Sequence, residues 1–230
     1  MEKILYSVWK SDSDSGDEFR DSLLEQLGPE LLGLGVRGLR ISVVDSEVEP
    51  ASSLRQENLG AAMDAMISVW LDSSVYREAI EAAIAARVER MDGYLVTESE
   101  PLCSDTPEGE RTPGMAQVVF LQRPERLSEA EWIEIWHGSH TQVAIDTQST
   151  FGYRQNVVAR TVTDGAAHID AIIEENFPAE AMSSQHAFYA ADSEEDYQAR
   201  LNAMIESCAR FIDFDKINVC PTSEYLLKAV

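Results

Sequence analysis

Sulfur and positive charge are both scarce in this chain. It has 3 cysteines among 230 residues, Cys103, Cys208 and Cys220, widely spaced and without a CxxC pair. An odd, dispersed set argues against a disulfide framework or a zinc knuckle and fits a reducing cytoplasm. Lysine and arginine together number 18 against 41 acidic residues, a net charge of -23, with a pI near 4.4. That balance repels a phosphate backbone and an anionic bilayer alike, so neither nucleic acid nor a membrane is an expected partner. The acidity itself serves solubility. No apolar run approaches the ~18 residues of a membrane span. Met1-Glu2-Lys3-Ile4-Leu5-Tyr6 lacks the apolar core and small-residue cleavage site of a secretory signal. P-loop, GxGxxG, GxSxG and HExxH patterns are missing too.

What is present reads as one order of elements, used twice. Residues 3–9 alternate as a strand. Ser15 with Glu18 forms a capping-box pattern, and Phe19, Leu23, Leu24 and Leu27 follow at helical spacing. Gly28-Pro29 should break or kink that helix. Strands are expected at 36–48, 65–71 and 91–102, with a helix at 75–90. A Pro- and Gly-rich linker spans 104–114. Beyond it, strands are expected at 116–122, 150–162, 184–191 and 211–220, and helices at 128–148, 167–177 and 194–210. Residues 221–230 form a C-terminal arm, read as an exchanged segment that would pair two copies into a homodimer.

Phe19 and Trp132 each lie four residues past a helix-capping serine, which points to an internal duplication of about 110 residues. The expected fold class is therefore α+β: two tandem ferredoxin-like β-α-β-β-α-β units, residues 1–103 and 115–230, forming an α+β barrel within one chain. Two four-stranded sheets set face to face would enclose a cavity. Trp9 and Trp70, on first-half strands, either line that cavity or pack against helices.

The chemistry concentrates in Glu131-Trp132-Ile133-Glu134-Ile135-Trp136-His137-Gly138-Ser139-His140, which holds two of the four tryptophans and two of the four histidines. On a helix, Trp132, Trp136, His140 and Ala144 share one face, with His137 turned aside. A partly buried imidazole there stays near neutral and suits proton transfer. His137 and His140 are three residues apart, a spacing that can chelate a metal, but no third ligand completes a signature, so a metal is not expected. His186 alternates with Phe188 on the strand expected at 184–191, where it would face the barrel as a partner for His140.

Trp136-x-x-x-His140, preceded by Trp132 and followed by Tyr153-x-Gln155-Asn156, resembles the pattern of the EthD family of the dimeric α+β barrel superfamily. The resemblance covers the second half. The first half carries Leu23 and Leu27 at the positions of Trp136 and His140, and Thr141-Gln142 replaces the glycine-proline usual after the histidine. The resemblance implies a cofactor-free site at the end of a barrel. The candidate catalytic residues are then His140, Tyr153 and His186, and the candidate substrate contacts Trp136, His137, Gln155, Asn156 and Phe188. Strand alternation puts Gln155 on the face of Tyr153 and Asn156 on the other. The expected function is acid/base chemistry of lyase, isomerase or cyclase type on a small aromatic or polyketide-like compound. A cofactor-less or haem-dependent monooxygenase and a non-catalytic binding protein are the alternatives.

Overall fold

Period-two alternation builds this fold, but both faces of nearly every strand are apolar or buried. Strand β1 (Glu2–Trp9) sets Ile4, Tyr6 and Val8 against one core and Leu5 into another. A sheet can bury both faces only if helices cover one and the sheet itself closes over the other. The computed structural model describes residues 1–230 and shows that closure. The remaining strands are β2 (Gly38–Val43), β3 (Ala65–Leu71), β4 (Arg90–Leu102), β5 (Met115–Leu121), β6 (Gly152–Thr161), β7 (Ala171–Phe177) and β8 (Ile217–Lys228).

The strands run in the order β2-β3-β1-β4-β6-β7-β5-β8, every neighbour antiparallel, and β8 pairs back onto β2. The result is a closed eight-stranded barrel with no free edge. Each run of four strands has the same internal order, second-third-first-fourth, which is the ferredoxin-like arrangement used twice. The seams are β4 on β6 and β8 on β2. Two-residue strands Gln56–Glu57 and Glu110–Arg111 add to β8.

Helix α1 (residues 16–33) covers the first four strands and α3 (residues 129–147) the second four. Capping boxes Ser15/Glu18 and Ser128/Glu131 start them. Both helices then widen into a π turn at the same distance from the cap, Leu23–Leu27 in α1 and Trp136–His140 in α3. Repetition of so uncommon a turn marks the two halves as copies of one plan. It also explains why Gly28-Pro29 does not break α1. The Gly28 N–H closes the π turn on the Leu23 carbonyl, so Pro29 falls in the first turn of a fresh α segment, where its missing N–H costs little. Gly28 further admits the tail of β8, since a Cβ there would stand 2.5 Å from Leu227. Helix α2 (Glu78–Ala85) follows a 3₁₀ turn at Ser74–Tyr76, shorter than the expected 75–90.

Three expectations for the second half are corrected. Residues 167–177 hold strand β7, not a helix. Residues 184–191 hold the short helix α4 (Gln185–Phe188), started by Ser184 accepting from the Ala187 N–H, not a strand. Helix α5 (Glu194–Ala209) stands as expected, but the last strand begins at Ile217 and consumes the presumed arm. Ser223, Glu224, Tyr225 and Leu226 pair with β2 of their own chain and close the barrel. No helix is long and apolar enough to cross a membrane.

The barrel interior is filled at one end and open at the other. Leu5, Met63, Met66, Tyr94, Val118, Phe120 and Ile172 pack the closed part. Lys3, Arg40, Trp70, Glu98, Arg154, Glu174 and Glu224 occupy the other. The shared interior expected to hold the site is thus side-chain core plus an ion network.

Candidate active site

The candidate residues gather outside the barrel, between α3, α5 and the outer face of β5–β8. Trp132 and Trp136 are fully buried there with Phe211, Ile173 and Val219. Their ring centroids are 5.3 Å apart, and burying two indoles anchors α3 on the sheet. The Trp132 N–H donates to the Phe211 carbonyl (2.9 Å) and the Trp136 N–H to the Tyr153 hydroxyl (3.3 Å).

Beside this core lies a cavity of about 320 Å³, lined by His140, Tyr153, Gln117, Gln148, Glu175, Phe188 and Cys208 among others. Its size is at the small end of ligand pockets, and an apolar wall with a few convergent polar groups is their usual make-up. Ile205 and Phe214 also line it and are half exposed. His140 shares a hydrogen bond between Nδ1 and Ser207 Oγ at 2.9 Å. Burial, helped by the nearby Arg210 charge, pulls its pKa down to about 4. It is therefore a neutral imidazole at pH 7. Tyr153 stays protonated, pushed well above its ordinary value by burial and by Glu175. Because its oxygen accepts from Trp136, its own O–H is free to donate.

Glu175 is the residue that sequence reading missed. It sits on β7, directly opposite Tyr153 on β6 and Gln117 on β5. No cation or donor offsets its desolvation, which pushes its pKa up to about 8. A carboxyl poised near neutrality in a cleft is the sort of group acid/base chemistry needs. The only signal for it was an acidic pair inside an apolar run, Ile172-Ile173-Glu174-Glu175. A helix at 167–177 hid its meaning, since a helix would put both acids toward solvent.

The structure brings His140, Tyr153 and Phe188 onto one cavity and disperses the others. Phe188 reaches it from α4, stacked on Phe177 with centroids 4.4 Å apart. Trp136 and Gln155 stand behind the wall. Gln155 donates to Thr141 Oγ1 (2.6 Å) and accepts from Ser99 (2.9 Å). Asn156 points into the barrel, donating to Glu174 (3.0 Å). His186 does not face the barrel: its segment is helical, and it lies at the surface against Glu194 (3.2 Å) and Tyr197. His137 packs edge-on against Trp136, and its Nε2 is buried without a partner.

No three His, Cys, Asp or Glu side chains converge to hold a metal ion. Haem does not fit either. The cavity is smaller than the macrocycle, no lysine or arginine lines it to meet the propionates, and Glu175 would oppose them.

No family model matches the chain, and no curated protein matches its sequence. Solved structures do match in shape. An anthrone oxidase-like protein superposes with a TM-score of 0.56 at 9% identity, covering 99% of this chain and 94% of the other. A Fusobacterium nucleatum protein described as a candidate monooxygenase gives 0.50 at 10%, covering 99% and 92%. A candidate chlorite dismutase gives 0.47 at 12%, covering 98% and 95%. At these identities the likeness is one of fold, the α+β barrel.

Proposed function

We propose that this chain is a cofactor-free acid/base enzyme that takes a small aromatic or polyketide-like molecule into the cleft beneath α3 and α5 and moves a proton on it. The observation that carries this reading is Glu175, an unpaired carboxyl on the wall of a cavity of about 320 Å³, whose pKa burial pushes up to about 8. Near neutrality both of its forms are populated, so it can take a proton from an activated C–H or phenol and return it elsewhere. Tyr153 donates to the oxygen on which charge develops. His140, neutral and fixed by Ser207, orients the substrate or donates a hydrogen bond. Isomerisation, cyclisation and elimination all begin with this step. EthD membership belongs to the same reading and rests on the Trp136/His140 and Tyr153/Gln155 pattern. So does a single site per chain, in residues 115–230, because Leu23 and Leu27 fill the equivalent turn of α1 with core, leaving residues 1–103 a structural role.

A second reading is favoured by the names of two structures of this fold, anthrone oxidase-like and monooxygenase. A doubly activated CH₂ would lose a proton to Glu175. The carbanion would reduce dioxygen, and the hydroperoxide would lose water to leave a carbonyl. Both readings share the deprotonation.

The test is hydrogen–deuterium exchange at the acidic carbon of an anthrone in D₂O under nitrogen, followed by NMR. Exchange accelerated by the wild type and lost in Glu175→Gln supports the reading. Equal exchange rates with and without protein overturn it, and tight binding without exchange favours a carrier. Dioxygen uptake under air then separates the two chemistries.

A further inference from the structure

The open end of the barrel is a second cavity, of about 720 Å³, lined by Lys3, Arg40, Trp70, Glu98, Glu100 and Leu226 among others. It lies on the opposite face of the sheet from Glu175, because Arg40, Trp70 and Glu98 belong to the inward rows of β2, β3 and β4. Most charges here are matched. Lys3 donates to Glu98 (2.6 Å) and Glu174 (2.9 Å), and the Trp70 N–H donates to Glu98 (3.0 Å). Glu224 receives Arg154, Thr112 (2.8 Å) and Asn176 (3.2 Å).

Beside Arg154 Nη1, which is also buried without a hydrogen-bond partner, the least matched group is Arg40. It is 12% exposed, and its one ionic neighbour, Glu224, is 3.7 Å away, beyond hydrogen-bond reach and already engaged. Arg40 Nε and Nη1 are buried without partners. A guanidinium carries five N–H donors in a planar fork, and leaving them unmet in a dry site is costly. The fork is held 5.7 Å from the centre of the Trp70 ring, with Lys3 4.7 Å from the same ring. Arg40 Nη2 makes no hydrogen bond and is not among these buried atoms, so a carboxylate set against Nη2 and one neighbouring nitrogen would meet one edge of the fork.

We propose that the barrel mouth is a ligand site, separate from the Glu175 cleft, for a small monocarboxylate with a planar apolar body. The carboxylate pairs with Arg40, and the body lies along Trp70, Val96 and Leu226. Glu98 and Glu100 line the same cavity and oppose a second negative charge, which selects against phosphate and dicarboxylates.

The test uses benzoate as probe, benzamide as its neutral isostere, and inorganic phosphate. Calorimetric titration of the full chain should show one benzoate site, with benzamide and phosphate at least ~10-fold weaker. Arg40→Gln should weaken benzoate by at least ~10-fold, whereas Glu175→Gln should leave it unchanged. In the wild type, which needs no variant to fold, NMR should show benzoate shifting the Trp70 indole N–H and leaving those of Trp132 and Trp136 in place. Absence of benzoate binding at millimolar concentration, unchanged affinity in Arg40→Gln, or shifts confined to Trp132 and Trp136 would each overturn the proposal.

Discussion

Glu174 and Glu175 are adjacent in the chain, both buried, and driven in opposite directions by the sheet that separates them. Glu174 points into the barrel, where burial would raise its pKa but Lys3, Arg154 and Arg40 overcome it and hold the carboxylate ionised. Glu175 points toward α3 and α5, where desolvation acts alone and lifts it to about 8. One β-strand thus carries a structural anion and a proton-exchanging acid side by side, because alternation sends consecutive side chains into different surroundings.

Replacing Glu175 with Gln should cut turnover by roughly 10²–10⁴-fold. It should also change how stability depends on pH. A carboxyl raised from 4.5 to about 8 keeps its proton in the folded chain while the unfolded chain has released it, so stability falls as pH rises through that window. His140, lowered from 6.5 to about 4, acts in the opposite sense, and its contribution is lost as pH falls from 6.5 toward 4. Above pH 6.5 only Glu175 remains of the two. Thermal midpoints of the wild type relative to Glu175→Gln should therefore decline from pH 6.5 to 8; a constant difference would refute the assignment.

Glu174→Gln should be damaging for a different reason. It leaves Lys3 and Arg154 facing a neutral amide in the ion network at the open end of the barrel, where these side chains are themselves buried. Breaking such a pair from one side costs about 3–5 kcal/mol, measurable as a lower urea midpoint, with the pH profile between 6.5 and 8 kept. A loss below 1 kcal/mol would mean that water reaches the network.

His140 should show no titration near pH 6.5. Its imidazole nitrogen shifts, followed by NMR, should stay those of a neutral ring down to about pH 5. A midpoint between 6 and 7 would show that the ring is more hydrated than its surroundings allow. His140→Ala should still reduce turnover, through lost orientation, without removing a limb of the pH–rate profile.

Thr141 ties the π turn to the sheet. Its hydroxyl donates to the Trp136 carbonyl (2.9 Å) and accepts from Gln155 (2.6 Å). Thr141→Val keeps the shape but strands both groups, so a cost of about 1–3 kcal/mol is expected by chemical denaturation. A neutral effect would mean that water replaces the hydroxyl.

The elements legible in the sequence were those whose local pattern and tertiary role agree. Residues 65–71 read as a strand and are one. The capping boxes at Ser15 and Ser128 announced α1 and α3, and the correspondence of Leu23 with Trp136 and Leu27 with His140 returned as paired π turns. Readings failed where tertiary burial overrode local pattern. Residues 167–177 read as a short helix, yet 171–177 form strand β7 and each of its two carboxyls found a buried niche. At 184–191 the alternation of His186 and Phe188 resembled a strand, yet Ser184 caps a helical turn that seats Phe188 in the cleft and leaves His186 outside.

By itself the sequence determined the order of elements in the first half, the α+β class and the helix that carries Trp136 and His140, because these follow from periodicity and capping along a contiguous stretch. Only the tertiary structure decided which face of the sheet becomes a cleft. Closure of β8 onto β2 turned the inner face into core and ion network and left the outer face, under α3 and α5, to hold Tyr153 and Glu175. That choice depends on contacts between residues far apart in the chain, and no local pattern records it.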